Sequence, residues 1–369
     1  YGQTPTTTIQ NGGADTRLEL NYDGGLLVPG TFGPAAPADS IPATGAGTRL
    51  MWYPAKAAFR AGRVGFLKDG TQWDAAKVGQ YSAAFGLDTK ASGISATAMG
   101  TQTTASGSAA TAMGDETTAS NFQATAMGFQ TTASGGQATA MGDRTTASGG
   151  QATAMGFQTT ASGSDATAMG SGTTASGDRA TAMGLNTEAS GSAAMAMGFG
   201  TTAATGNSLS IGKYNSANTS DDNTLFVAGN GSSGARANAL VLQENGNLEI
   251  SGTLTEGSDR RLKTSIRPLE GETLAKLSRL RPVRYRFKNQ KTHPAGEQIG
   301  LIAQDVRTEF PALVDGEDGD ALSLSYSKLT AVLIKGLQEH QSMVDSLKGR
   351  VQRLEKQQQD LDHLKKRLA

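Results

Sequence analysis

The sequence predicts a mainly β protein: a parallel β-roll built from fourteen-residue coils, then a C-terminal α+β domain ending in a coiled coil. Three observations carry that prediction. Met-Gly recurs every fourteen residues from Met99-Gly100 to Met197-Gly198. Composition changes abruptly near residue 258, with 41 of the 48 glycines before it and the zero net charge dividing into −6 before and +6 after. Finally, the last thirty residues space apolar side chains alternately three and four apart.

The repeat reads approximately ATAMG-xx-TTASG-xx, as in Ala96–Gly100 followed by Thr103–Gly107, and Phe85-Gly86 and Ile211-Gly212 extend it by one step at each end. Each unit holds two short stretches of period-two alternation, the mark of strands, and each is closed by Gly, which turns corners needing positive φ. Two strands and two turns per unit describe one solenoid coil. Nine to ten coils at strand spacing give about 45 Å. The alternation is read with Thr97, Met99 and Ala105 on the inner face, matched by Leu209 and Ile211 at the C-terminal end, and with Met as adaptable filler. Such a core buries little apolar area, so several rolls packed side by side are expected. The variable pairs between strands are expected to face solvent. Phe129 and Phe157 among them are candidates for an adhesive surface.

These repeats resemble the head of YadA-like trimeric adhesins over about residues 60–212, with Met where that family usually has Ile or Val. The resemblance implies three chains winding left-handed β-rolls around a shared axis. Upstream, residues 1–60 form a Gly/Pro-rich region with an alternating run at Thr16–Tyr22. The segment Gly45–Arg63 is read as a cap over the open end of the roll, with Trp52 and Tyr53 as a possible carbohydrate platform. Downstream of the roll (61–212), residues 213–257 lose the period and are expected to form a β neck with strands at Thr224–Ala228, Ala239–Gln243 and Leu248–Ile250.

The segment from Ser258 contains Ser258-Asp259-Arg260-Arg261-Leu262-Lys263, Arg281–Phe287, Ile299–Val306, Glu309-Phe310-Pro311 and Tyr326–Leu329. These blocks, in this order, resemble the peptidase S74 family of intramolecular chaperones from phage tailspikes, over about residues 256–345. The resemblance implies a trimerisation module (258–341 here, before the 342–369 coiled coil) that releases itself by autoproteolysis with a Ser-Lys dyad. Its motif falls on Ser258 as nucleophile and Lys263 as general base. A Ser hydroxyl needs a base, and an amine serves only when neutral; the adjacent cations Arg260 and Arg261 disfavour an ammonium. Ser258 Oγ reaches the Gly257 carbonyl through a five-membered ring, so the Gly257–Ser258 bond is the expected cleavage point. Attack on its own carbonyl would need a four-membered ring.

Leu337, Val344, Val351 and Gln358 fill one heptad position, and Leu347, Leu354, Leu361 and Leu368 the other. Taken alone, Val with Leu at these positions leans toward two strands; the two resemblances favour three.

Composition closes off other classes. Without Cys there is no disulfide, thiolate metal site or cysteine nucleophile, and His293, His340 and His363 are the whole histidine complement. No metal or cofactor is expected. No run of eighteen apolar residues exists to span a membrane. The start at Tyr1 without Met is read as a processed or trimmed form. The basic stretch Arg260–Lys291 lacks a reading helix or stacking platform, so nucleic acid is not an expected partner. The repeats hold eight charged residues in 93–212 and no clustered acid pair, against a glycan depolymerase. The expected protein is an extracellular homotrimeric fibre, cell-surface or virion-like, binding a host glycan or protein receptor and acting as a peptidase on itself alone. The alternatives are a phage or injection-system tail fibre, or an uncleaved structural spacer.

Overall fold

The structure, a computed structural model, describes residues 7–10, 16–20, 26–27, 41–65, 69–216, 223–269, 271–290, 292–317 and 319–368. The chain divides into two compact units, Tyr1–Thr253 and Leu254–Ala369.

In the first unit each coil supplies a five-residue and a two-residue strand, as in Thr97–Thr101 and Thr104–Ala105. Long strands from Ala83–Leu87 to Leu209–Lys213 pair in parallel, each residue facing its equivalent one coil on; Met99 lies opposite Met113. The short strands, Lys90–Ala91 to Thr202–Ala203, form a second parallel sheet of nine. The product is a β-solenoid of about ten turns. Gly128 shows why the Met-Gly step tolerates no side chain. Its φ is +122°, and a Cβ there would lie 1.9 Å from the Gly142 carbonyl oxygen of the next coil.

The interior differs from the sequence expectation. Ala96, Ala98, Thr103 and Ala105 are fully buried, whereas Met99 is 37% exposed and Thr97 half-buried. Thr97 and Met99 therefore point outward, as do Leu209 and Ile211. Alternation assigns residues to two faces without saying which is inside. Glycine-mediated contact between coils and the short strands leave a bore that admits Ala and Thr but not Met. The buried Thr hydroxyls, Thr103 and Thr131 among them, have no hydrogen-bond partner.

The long-strand sheet continues beyond the coils at both ends to fifteen strands. At the start, Gly47–Tyr53 and Ala58–Val64 form an antiparallel hairpin whose second strand pairs in parallel with Ala83–Leu87. Met51, Val64 and Trp73 close the narrow bore, and Trp73 Nε1 donates to Thr89 O at 2.8 Å. Arg60 is buried there, donating to the carbonyls of Phe59, Ser82 and Ala91 and to Ser82 Oγ. Burial lowers its guanidinium to about 10. At the far end Thr224–Asn230 adds in parallel to the last coil, followed by antiparallel Asn238–Gln243 and Leu248–Ile250. These strands prolong the roll's own sheet. Upstream, Thr7–Gln10, Thr16–Leu20 and Leu26–Leu27 form a separate antiparallel sheet; Asn21 and Tyr22 of the alternating run lie outside the described residues.

The second unit packs α1 (Thr273–Arg279), α2 (Ala303–Glu309) and the start of α3 (Tyr326–Leu368) around Val306, Leu313 and Val332. Two short ribbons, Val283–Tyr285 with Gln298–Gly300 and Val314–Asp315 with Ser323–Leu324, complete it. Gly336 lets α1 approach α3: a Cβ there would stand 2.4 Å from Leu277 Cδ1. Glu339 accepts from the Leu274 N–H at 2.8 Å, satisfying a donor at the start of α1. Further along α3, Leu337, Leu347 and Leu354 are exposed, at 68%, 51% and 62%.

Candidate functional site

Ser258 and Lys263 meet because the chain between them makes a 3-10 turn, Arg260–Leu262. Asp259 caps it, accepting from the Arg261 N–H at 2.8 Å. The Arg261 guanidinium returns to the same carboxylate through Nε and Nη2. This clamp reverses the chain, and Lys263 Nζ donates to Ser258 Oγ at 2.6 Å. Hydrogen bonds from Arg261 hold the Asp259 carboxyl below its ordinary range, and the same bond raises the Arg261 guanidinium. The charge of Arg261 is thus matched by Asp259. The clamp escaped the sequence reading, although an Asp directly before a short turn is a recognisable capping signal.

Residues 251–269 are exposed, and nothing lies within 4 Å of a Cβ built at Gly257. A serine oxygen within hydrogen-bond reach of a lysine nitrogen has the proximity that nucleophile activation requires, although the bond here runs from lysine to serine and activation needs the hydroxyl to donate.

The other candidates separate. Phe129 and Phe157 occupy equivalent outward positions two coils apart and are 36% and 41% exposed. The Arg144 guanidinium lies 5.7 Å from the Phe129 ring centre, within cation–π range. Trp52 is 37% exposed. Tyr53 is not available beside it: at 3% exposed it packs with Ala58 and Val78, because adjacent strand residues face opposite ways. The expected Trp52–Tyr53 platform is thus reduced to Trp52.

Overlapping pairs of repeats between residues 78 and 187 match the YadA head domain repeat, and residues 258–315 match the peptidase S74 model, described as the chaperone of endosialidase. Segments that match the YadA head repeat thus precede one that matches the S74 model. The S74 match begins at Ser258 itself. Relatives include the long tail fiber protein Gp37 of Enterobacteria phage M1 and that of Enterobacteria phage Ox2, each 35% identical over 96 residues, 25% of this chain. That alignment spans 38% of the length of each relative. With YadA head repeats, an S74 segment and tail-fibre relatives, the chain is tail-fibre- and adhesin-like. No helix among the described residues is long and apolar enough to cross a membrane.

Proposed function

We propose that this chain is an extracellular or virion-associated fibre protein that assembles as a homotrimer. Its S74 segment directs assembly and is then released by cutting the Gly257–Ser258 bond. The observation that carries the reading is the 2.6 Å pairing of Lys263 with Ser258 at the start of the S74 match, directly after an exposed glycine.

In the proposed reaction the neutral Lys263 amine takes the Ser258 hydroxyl proton while Oγ attacks the Gly257 carbonyl carbon. The Gly257–Ser258 C–N bond breaks, the ammonium returns its proton to the departing nitrogen, and an ester joins Gly257 to Oγ. Water hydrolyses the ester, restoring the hydroxyl and leaving a Gly257 carboxylate and a new N-terminus at Ser258. The chain is both enzyme and substrate, and each copy turns over once. A parallel, entwined β fold has many non-local contacts and folds slowly. An assembly domain needed only during folding can then be discarded from a kinetically trapped product.

Trimeric assembly is supported by the families these segments resemble and by the exposed Leu ridge of α3. Receptor contact by a host glycan or protein is assigned to the exposed aromatics Trp52, Phe129 and Phe157. The tail-fibre form of this reading rests on the Gp37 relatives.

A denaturing gel of freshly assembled protein tests the chemistry. Wild type should give two fragments, the smaller beginning at Ser258 by mass spectrometry, while Ser258→Ala and Lys263→Ala stay whole. An intact wild-type chain, or cleavage in Ser258→Ala, refutes it.

A further inference from the structure

Beside the N-terminal cap lies a small polar cavity that the repeat by itself does not produce. Its volume is about 270 Å³, and it is lined by Asp69, Gln72 and Lys77 from the loop before the first coil and by Lys90 and Thr104 from the first two short strands.

The loop is organised around one carboxylate. Asp69 accepts from the Thr71 N–H and from Gln72 Nε2, each at 3.2 Å, and from the Lys77 ammonium, which also donates to Thr71 Oγ1. These bonds, that from Lys77 foremost, hold the Asp69 carboxyl well below the usual carboxylate range, so it stays ionised with its charge matched by Lys77. Trp73 Nε1, bonded to Thr89 O, anchors the loop beside Lys90.

Two groups are left without partners. Gln72 is only 2% exposed. Donation from its Nε2 to Asp69 fixes the amide, and Oε1 has no hydrogen-bond partner among the described residues. A buried amide oxygen in that state calls for a donor. The half-buried Lys90 ammonium likewise has no hydrogen-bond or ion-pair partner among the described residues. Lys90 pairs in register with Thr104, and the equivalent residue is Thr in six successive coils from Thr104 to Thr174. The repeat thus gives way to a cation where the strand meets the loop.

We propose that this cavity binds the carboxylate-bearing ring of an acidic sugar, a hexuronate unit of a glycan. A cavity just below the size of drug-binding pockets suits one sugar ring. Lys90 meets the carboxylate with a charge-assisted hydrogen bond. A ring hydroxyl supplies the proton that Gln72 Oε1 lacks, and Thr104 Oγ1 can donate or accept. With Asp69 and Lys77 matched, Lys90 leaves one positive charge, which suits a monoanion. A neutral sugar leaves Lys90 unmet, and sulfate has no proton to give Gln72. The site uses none of Trp52, Phe129 and Phe157, so it stands apart from the receptor contacts assigned above.

Saturation-transfer NMR on the full chain, with sodium glucuronate as the probe, tests this. Wild type should transfer saturation to glucuronate and far less to glucose, and equimolar sulfate should not displace the probe. Lys90→Thr installs the residue that the repeat itself uses there, and it should weaken glucuronate by about tenfold or more, the effect of one charge-assisted hydrogen bond. Lys213→Thr removes an equal charge from the strand Leu209–Lys213 and should leave binding unchanged. No transfer to glucuronate in wild type, an unaltered Lys90→Thr, or equal loss in both lysine variants overturns the site. Displacement by equimolar sulfate, or glucose binding as well as glucuronate, overturns the assignment to an acidic sugar.

Discussion

The Leu301 N–H donates to the Tyr326 hydroxyl at 3.0 Å, tying the strand end after Gly300 to the first residue of α3. Gly300 makes this possible, since a Cβ there would lie 2.6 Å from the same hydroxyl. Two sequence blocks separated by 25 residues thus become one joint. Tyr326→Phe leaves the Leu301 donor without its partner at nearly constant volume. It should cost about 0.5–1.5 kcal/mol by chemical denaturation of the second unit. No change in denaturation midpoint would mean that water replaces the phenol without loss.

Stacking of coils makes the Met-Gly glycines far less replaceable than Gly150, which stands at a variable position of the turn. Gly128→Ala forces a Cβ against the Gly142 carbonyl in a left-handed backbone and should cost about 4 kcal/mol or more. At Gly150 the nearest atom to an added Cβ is Ser164 Oγ at 3.8 Å, so Gly150→Ala should change stability by less than about 1 kcal/mol. Thermal melts of the two variants check the contrast, and equal losses would contradict it.

The unpartnered hydroxyls inside the roll can be exchanged for methyl groups. Thr131→Val keeps the shape and removes a buried oxygen that has no partner, so stability should hold or rise by roughly 1 kcal/mol. Thr131→Ser keeps the oxygen and opens a methyl-sized void, and should destabilise by about 1 kcal/mol. A fall in urea midpoint for Thr131→Val would show that the hydroxyl is satisfied in solution.

Acid should release the turn at the candidate cleavage site. The Asp259 carboxyl is depressed by its hydrogen bonds from Arg261, so its contribution is present above the unfolded carboxyl value of about 3.9 and is lost as pH falls through the lower folded value. An NMR titration of the Arg261 amide should show a midpoint below about 3.9 in wild type and none in Asp259→Asn. A midpoint at or above that value would rule out the clamp in solution.

The period of the repeat, two strands per coil, the helical C-terminal run and the five-residue spacing of Ser258 and Lys263 were legible in the linear order of residues. They depend on local periodicity and local turn chemistry. Tertiary structure decided the rest. Alternation divides Thr97 and Met99 from Ala98 symmetrically, and only the bore left by coil-to-coil glycine contact puts alanine inside and methionine outside. Hairpin register turned Tyr53 inward and left Trp52 out. Strand pairing, which no period announces, joined Leu50 and Ile250 to the same apolar column as eight methionines. A repeating sequence determines what each coil is made of. Which face is buried, and how far that face extends past the repeats, is settled by the space between backbones.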